Sequence, residues 1–499
     1  MDPARPRAEA VAVTGGRIAW VGPERDLAGL SPSRTEVIDC RGRTVVPGLI
    51  DAHCHLLAYA SSLLAVECGP NAVGSISDIA SAVRDRAGST PPGGWVRGSG
   101  YDDFSLLERR HPTRWDLDKA APDHPVKLNH RSGHASVLNT AALNIAGISI
   151  ETADPTSGVI DRDPGTGEPT GLLLDMDGYL RDRVPRLSNA ELDEGLRLAN
   201  RRLVSRGVTS VQDAGASNSV EEWDSFAHLK AEGRLEPRVT MMAGARRLDG
   251  FLDRGMGFGW GNDELSLGAA KVMLSATSGR LSPDRGELRD IVARARGQGF
   301  QIAVHAVEAE AVGAAIDALA RDVGPATDET RRDRIEHCSE CPPELLRKLA
   351  DSGLVVVTQP GFIFESGRRY LSEVDGAMRP WLYRTGSLVE AGVTMAAGSD
   401  APVTDPDPFA GMYAAVTRRA RAGEPVGVGE RVGAETALRM YTSGGAYAAF
   451  QEAGRGAIEV GKLADMAVLD RDPTAVEPGE IRETGVTMTV IGGRVVWGE

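Results

Sequence analysis

Residues 45–60 read VVPGLIDAHCHLLAYA, an apolar run that leads into two histidines separated by one residue. His53 and His55 are two of only nine histidines in a chain of 499 residues. Side chains at positions i and i+2 of a β-strand point to the same face, with Cα atoms roughly 6.6 Å apart. The two imidazoles can therefore share one metal ion, which suits imidazole nitrogen, or they can simply pack at a strand end. Cys54, between them, is expected to face the opposite side.

Beyond this stretch, short apolar runs alternate with amphipathic stretches of helix length. Counted with residues 45–56, the apolar runs predict eight strands, the others at 207–215, 238–244, 269–274, 300–307, 334–339, 353–360 and 392–403. Strands separated by helices indicate a parallel sheet, and eight of them predict a closed (β/α)₈ barrel. The expected fold class is therefore α/β, with a TIM barrel at its centre.

The two ends of the chain predict short strands without helices between them. AEAVAV and RIAWVG flank Gly15 and Gly16 as in a β-hairpin, and MAVLD and VTMTVIGGRVVW near the other end look similar. We expect residues 1–46 and 455–499 to form one small β-sandwich domain, and residues 47–454 to form the barrel domain. Residues 61–190, between the first two barrel strands, are too long for a loop and predict an inserted lid subdomain.

Composition argues against several classes of partner. The formal net charge is −14, which disfavours nucleic acid. The five cysteines are too sparse for a disulfide framework, and Cys338 and Cys341 are read as buried thiols. No apolar run approaches 18 residues and no signal peptide is recognisable, so we expect a cytoplasmic protein that does not bind membranes.

The strand ends supply the candidate chemistry, because catalytic residues of such barrels lie at the C-terminal ends of strands. The polar residues found there are His53, His55, Asp213, Lys271, His305, His337, Gln359 and Asp400. Histidines with one carboxylate make a typical catalytic metal site, which leaves a position open for water. A lysine within an apolar strand is costly to bury as a cation. An ordinary ion partner, a lowered pKa, or carboxylation by CO₂ to a carbamate would each resolve that cost.

These residues and their surroundings resemble the amidohydrolase superfamily, in the branch (amidohydrolase family 3) that includes N-substituted formamide deformylase. The segments that match are PGLIDAHCH, GHASVLNTAALNIAGI, GEPTGLLLD, RIEHCSECPPE, VTQP, GSDAPV and GAIEVGKLADMAVLD, which span nearly the whole chain. The resemblance implies a metal-dependent hydrolase that cleaves a non-peptide C–N bond. Its substrate would be an amide, an N-substituted formamide, a cyclic amide or a carbamate.

The resemblance also implies a binuclear metal centre. Its ligands would be His53, His55 and Asp400 on one ion and His305 and His337 on the other, bridged by the CO₂-derived carbamate of Lys271. Zinc is the expected metal, with iron and manganese as alternatives. A metal-bound hydroxide would attack the substrate carbonyl, and Asp400 would carry its proton to the leaving nitrogen.

Candidate substrate contacts lie in the insertion and after the seventh strand. They are Tyr101, Asp102, His134, Asp175, Gln359 and Arg379, of which the arginine could clamp a carboxylate. Two departures from the family pattern leave open a substrate other than a formamide. No Asp-Gly pair follows Lys271, and His305 is followed by Ala-Val-Glu-Ala.

Two other functions stay open on the sequence alone. The same ligands could hold two irons in an oxygenase that hydroxylates a natural product, or the chain could be a non-catalytic metal-binding protein. A small molecule is the expected partner, and a homodimer is left open. Family members have a further strand before the segment MDPARPRAEAVAV, so we expect a shortened chain or a misassigned start site.

Overall fold

A computed structural model describes residues 7–29, 35–155, 158–276, 279–320 and 332–498. The chain forms two compact units. The barrel unit comprises Met1–His55, Asn200–Asp400 and Pro406–Glu499, and the inserted unit comprises Leu56–Ala199 and Ala401–Asp405. The domain boundaries expected from the sequence, and the role of the insertion as a lid, stay predictions.

The strands are numbered in chain order. They are β1 (Ala10–Thr14), β2 (Arg17–Gly22), β3 (Thr44–Pro47), β4 (Leu49–Cys54), β5 (Val66–Glu67), β6 (Val96–Tyr101), β7 (Val126–His130), β8 (Ala135–Leu138), β9 (Val159–Arg162), β10 (Pro169–Leu174), β11 (Val208–Asp213), β12 (Arg238–Gly244), β13 (Leu265–Met273), β14 (Ile302–Ala306), β15 (Arg334–His337), β16 (Val355–Thr358), β17 (Met395–Ala397), β18 (Met466–Leu469), β19 (Val486–Ile491) and β20 (Arg494–Gly498).

The α-helices are numbered in the same way. They are α1 (Leu56–Leu64), α2 (Ile76–Ser89), α3 (Arg114–Asp118), α4 (Thr140–Ala146), α5 (Asp177–Leu180), α6 (Asn189–Ser205), α7 (Val220–Ala231), α8 (Leu248–Leu252), α9 (Arg285–Gly297), α10 (Ala309–Ala320), α11 (Pro343–Ala350), α12 (Gly361–Glu373), α13 (Thr385–Glu390), α14 (Pro408–Thr417), α15 (Ala434–Met440) and α16 (Ser443–Ala448).

The central sheet of the barrel unit has eight strands in the order β4-β11-β12-β13-β14-β15-β16-β17. Each adjacent pair is parallel. The eight strands and the α/β barrel class predicted from the sequence are therefore confirmed. Every residue of β4, β11 and β12 is buried, as expected for parallel strands covered on both faces.

The barrel closes where β17 meets β4. The Asp400 N–H donates to the His53 carbonyl at 2.7 Å. The Asp51 carboxylate accepts from the Ser399 N–H at 2.9 Å and from its hydroxyl at 2.5 Å. A Cβ on Gly398 would lie 2.5 Å from the backbone nitrogen of His53, so only glycine lets the two backbone segments come this close. The closing contacts thus lie beside two of the candidate metal ligands.

The helices between the barrel strands follow their sequence signals. In α9, Leu288, Val292 and Ala295 form a buried stripe with helical spacing. The Asp284 side chain caps this helix by accepting from the Gly286 and Glu287 N–H groups. The helices predicted after β11, β13, β14 and β15 are all present as α7, α9, α10 and α11.

The terminal strands form two smaller sheets. The predicted hairpin is confirmed as the antiparallel pair β1–β2. A second sheet, in the order β20-β19-β18-β3, joins strands from both ends of the chain. Ile18 from the hairpin packs in one apolar cluster with Val468 and Val490 of that sheet.

The inserted unit has its own sheet and its own core. Its six strands run in the order β5-β6-β7-β8-β10-β9. One cluster there includes Ile79 and Val83 of α2 and Leu128 of β7, all fully buried. Throughout the described parts of both units, no helix combines the length and the apolarity that crossing a membrane requires.

Candidate metal centre

Five strand ends of the barrel unit bring candidate ligands together at one place. The imidazole centroids are 5.4 Å apart for His53 and His55, 4.8 Å for His53 and His337, and 4.3 Å for His305 and His337. Ligand atoms of His53, His337 and Asp400 all lie within 4.8 Å of one another. The four histidines therefore form one continuous group with an aspartate at its edge.

Two buried nitrogen atoms at this group lack hydrogen-bond partners. Within the described residues, neither His53 Nε2 nor Lys271 Nζ makes a hydrogen bond. A buried polar atom left unpaired typically costs about 1–3 kcal/mol. Imidazole nitrogen and carboxylate oxygen are common ligands of zinc and iron. The donor set and its two unpaired nitrogens are what a metal centre requires.

Electrostatics keep the ligands in the states that bind metals. Burial, aided by the charge of Lys271, lowers the pKa of His53 to about 3, so its imidazole is neutral at neutral pH. Burial also lowers the pKa of His337. Burial raises the pKa of Asp400. The hydrogen bond from His55 and the neighbouring imidazoles outweigh this effect and hold the pKa below its usual value. The site thus combines neutral imidazoles at His53 and His337 with an ionised carboxylate at Asp400.

Lys271 lies on β13 and is 2 % exposed. Burial lowers the pKa of its ammonium group to about 8. Among the described residues Lys271 Nζ makes no hydrogen bond, and the carboxylates of Glu336 and Asp400 are the nearby opposite charges. A substantial fraction of neutral amine is therefore present near pH 8, and the neutral amine is the form that reacts with CO₂.

Replacing Lys271 with methionine is expected to change how the stability of the metal-free, CO₂-free protein depends on pH. The folded pKa is about 8, against 10.5 for a free lysine, so between these values the unfolded chain binds more protons and stability rises with pH. Relative to the methionine variant, the wild type should gain about 3 kcal/mol across that window. Urea unfolding of both proteins from pH 7.5 to 10.5 measures the difference, and a constant difference would contradict the prediction.

Three side chains that the sequence did not single out, Glu336, Arg334 and Gln212, hold the imidazole of His53 in place. His53 Nδ1 donates to the Glu336 carboxylate, and Arg334 Nε donates to the same carboxylate at 2.5 Å. Arg334 in turn donates to Gln212 Oε1 at 2.5 Å. The sequence did offer one signal for these supports. Arg334 and Glu336 stand at positions i and i+2 of the apolar segment RIEH, so their side chains share one face of the strand.

The backbone is strained at three residues of the site. His337 has φ 72°, Cys338 has φ 50° and Asp400 has φ 58°, all in the left-handed region. Such conformations cost of order 1–3 kcal/mol each outside glycine. Cys338 N–H donates to the Ala306 carbonyl at 3.0 Å, which ties the bend to the neighbouring strand. The bends sit at the ends of β15 and β17, where they direct the ligand side chains.

Two predicted substrate contacts belong to the barrel unit. Gln359 is fully buried, and its Oε1 accepts from His337 Nδ1 at 2.7 Å. Its amide oxygen therefore orients the imidazole of His337, and the substrate contact expected from the sequence stays a prediction. Arg379 is half-buried, and its Nε donates to the Val374 carbonyl at 2.8 Å.

The other predicted substrate contacts lie in the inserted unit. His134 Nδ1 and Asp175 Oδ1 are 2.7 Å apart, and both side chains are partly exposed. Tyr101 is buried with its hydroxyl 2.9 Å from His111 Nδ1. Asp102 accepts from the Ser105 hydroxyl at 2.8 Å. His134 and Asp175 thus keep the accessibility that substrate contact requires, whereas Tyr101 and Asp102 are enclosed.

A second group of metal-type residues, Asp102, Asp103 and His130, also lies in the inserted unit. His130 Nε2 is 3.0 Å from Asp103 Oδ1, and its Nδ1 is 2.8 Å from the Ser132 hydroxyl. Both ring nitrogens of His130 are therefore paired within the protein, unlike His53 at the barrel.

Comparison with known proteins identifies the family of this chain. A model of the amidohydrolase family matches residues 36–497. The chain belongs to the amidohydrolase family. The chain is similar to the N-substituted formamide deformylase of Arthrobacter pascens, at 31% identity over 97% of this chain and 94% of that protein. It is also similar to the putative amidohydrolase YtcJ of Bacillus subtilis (strain 168), at 29% identity over 98% of this chain and 96% of that protein.

Solved structures support the fold of this amidohydrolase. An uncharacterised metal-dependent hydrolase from Pyrococcus horikoshii OT3 superposes with a TM-score of 0.74 at 23% identity, covering 95% of both chains. A metal-dependent hydrolase from Pyrococcus furiosus gives a TM-score of 0.72 at 24% identity, covering 94% of this chain and 96% of that chain. As a member of the amidohydrolase family, the protein is a hydrolase that acts on carbon–nitrogen bonds.

Proposed function

We propose that this amidohydrolase cleaves the non-peptide C–N bond of an amide, an N-substituted formamide, a cyclic amide or a carbamate. Two divalent metal ions, expected to be zinc, would be held by His53, His55, Lys271, His305, His337 and Asp400. The observation that carries the proposal is the convergence of two buried nitrogens without hydrogen bonds, His53 Nε2 and Lys271 Nζ, beside an ionised Asp400. The similarity to an N-substituted formamide deformylase supports that substrate class.

The residues of the site divide the chemistry between them. When bound, the metal ions polarise the substrate carbonyl and lower the pKa of a water molecule. Asp400 Oδ1 lies 3.0 Å from His55 Nε2 and 3.5 Å from His53 Nε2, within the ligand group. From there its carboxylate can take a proton from water and pass it to the leaving nitrogen, so that the amine departs neutral.

Lys271 would contribute as a carbamate. Its neutral Nζ attacks the carbon of CO₂, one proton is released to solvent, and the lysine gains a carboxylate. That carboxylate has two oxygens, so it can ligate both ions, whereas the amine could reach only one. The lowered pKa and the unpaired Nζ support this assignment, since both favour the reactive neutral amine.

Metal analysis tests the proposal directly. Protein purified without chelators should contain two zinc ions per chain, and His55→Ala should lose at least one of them. His228 on α7 is largely exposed and provides the matched control, since His228→Ala should keep both ions. The readout is metal per chain by mass spectrometry, alongside release of amine from a panel of N-substituted formamides, cyclic amides and carbamates.

Two outcomes would contradict this function. Stoichiometric iron with substrate-dependent O₂ consumption would point to the oxygenase chemistry instead. Metal-free protein that still carries out its reaction would remove the metal centre from the mechanism.

We also propose a cytoplasmic location, which the unbridged state of all five cysteines supports.

A further inference from the structure

Glu336 is the most enclosed charged group at the centre. It lies on β15, is fully buried, and touches two positively polarised partners. Arg334 Nε donates to its Oε1 at 2.5 Å, and Arg334 Nη2 donates to its Oε2 at 3.1 Å. The same Oε2 accepts from His53 Nδ1. A carboxylate in such a place must be paired to be tolerated, and here the pairing reaches a metal ligand.

Arg334 is itself fixed from three sides. Its Nη1 donates to Gln212 Oε1 at 2.5 Å and its Nη2 to the Ala52 carbonyl at 2.7 Å. Gln212 Nε2 donates onward to the Gly445 carbonyl at 2.7 Å. The guanidinium therefore cannot follow Glu336 if the carboxylate turns, so the pair holds Glu336 in one orientation. These contacts come from β4, β11 and α16 as well as from β15.

The consequence falls on His53. Because a carboxylate can only accept, the ring proton must sit on Nδ1, and Nε2 carries the lone pair that faces the ligand group. An anionic acceptor on Nδ1 also increases the electron density at Nε2, which strengthens a bond from Nε2 to a metal. The orientation and the donor strength of His53 are both set by Glu336.

His337 has a weaker version of the same arrangement. Its Nδ1 donates to the neutral amide oxygen of Gln359 at 2.7 Å. An amide fixes the same tautomer but withdraws the proton less than a carboxylate does. The two histidines thus differ in their outer partners, since an anionic acceptor lies behind His53 and a neutral acceptor lies behind His337.

The direct hydrogen bond distinguishes the two positions. The charge of Glu336 acts through space on His337 as well, whereas its hydrogen bond among the candidate ligands goes to His53. A charge effect would have changed both metal affinities together, whereas a hydrogen-bond effect changes only the one at His53.

We propose that Glu336 is a positioning residue that makes the metal position of His53, His55 and Asp400 the tighter of the two, so that this position fills first. The inference rests on the proposed binuclear centre. Replacing the outer hydrogen-bond partner of a metal-bound histidine typically lowers metal affinity by about 10–100-fold.

Zinc titration of the full-length metal-free protein, in competition with a chromophoric chelator, tests this order. Wild type should bind two ions in resolved steps. Glu336→Gln should weaken the tighter step by about 10–100-fold and leave the weaker step within threefold. Gln359→Leu is the matched variant at His337 and should weaken only the second step. His55→Ala should lose the tighter step, and His305→Ala should keep it.

The fold is checked separately, because Glu336→Gln leaves Arg334 without a charged partner. The double variant Arg334→Met with Glu336→Gln removes that charge and should show the same loss of the tighter step. The inference is overturned if wild type binds two ions with equal affinity, or if both variants leave the tighter step unchanged or weaken both steps equally. A wild type that binds fewer than two ions would instead refute the binuclear centre itself.

Discussion

Asp400→Asn should lower kcat/KM by about 10³–10⁴-fold, because two roles end with the loss of one charge. General acid–base catalysis by a positioned side chain typically contributes about 10²–10⁴-fold, and an amide can neither take up the proton nor deliver it. The variant also loses the anionic ligand of the proposed metal centre, a carboxylate whose pKa is held below its usual value. Its fold should survive, since the Asp400 N–H still donates to the His53 carbonyl.

The measurement is amine release by wild type and variant under identical metal supply, with the metal content of each sample determined. Asp123→Asn, at an exposed position of the inserted unit, should retain wild-type activity. An Asp400→Asn protein that keeps more than a tenth of wild-type kcat/KM would show that neither role belongs to Asp400. If both ions remain but activity is lost, the proton-transfer role accounts for the effect.

Arg334→Met is expected to reduce the free energy of unfolding of the metal-free protein by about 3–5 kcal/mol. The substitution leaves the Glu336 carboxylate, at 0 % exposure, without its guanidinium. Most of the loss should be recovered when Glu336→Gln is added, because the unpaired charge is then gone. Urea unfolding of the single and double variants measures both steps.

An exposed ion pair provides the contrast. Arg197 donates to Glu194 at 2.7 Å on α6, with about half of each side chain exposed. Arg197→Met should change stability far less than Arg334→Met does, since solvent screens exposed pairs. An Arg334→Met protein as stable as Arg197→Met would mean that the interior around Glu336 is wetter than the structure indicates.

The barrel could be predicted from the sequence because its signals are local. Apolar runs of strand length alternate with amphipathic helices, and catalytic side chains of this fold lie at strand ends. His53, His305 and His337 could therefore be proposed as one group before any contact was known. The proposal needed only the order of the strands, which the parallel topology fixes.

The supports of that group could not be predicted, because they depend on contacts across the barrel. The segment RIEH shows Arg334 and Glu336 on one face, but nothing local indicates that Glu336 meets His53. Gln359 shows the same limit, since its position at a strand end fits a substrate contact as well as a ligand support. The left-handed backbone at His337 and Cys338 had no signal either, because neither is the glycine that such a φ favours.

The closure of the barrel between β17 and β4 has a consequence for biosynthesis. Asp51 and Ser399 are 348 residues apart, and His53 and Glu336 are 283 residues apart. Chains emerge from the ribosome with their N-terminal residues first, so His53 and His55 are exposed long before their partners exist. His53 and His55 can join the other candidate ligands only after the later strands of the barrel have been synthesised. Assembly of the candidate ligand group is therefore a late event, which follows translation of the eighth strand.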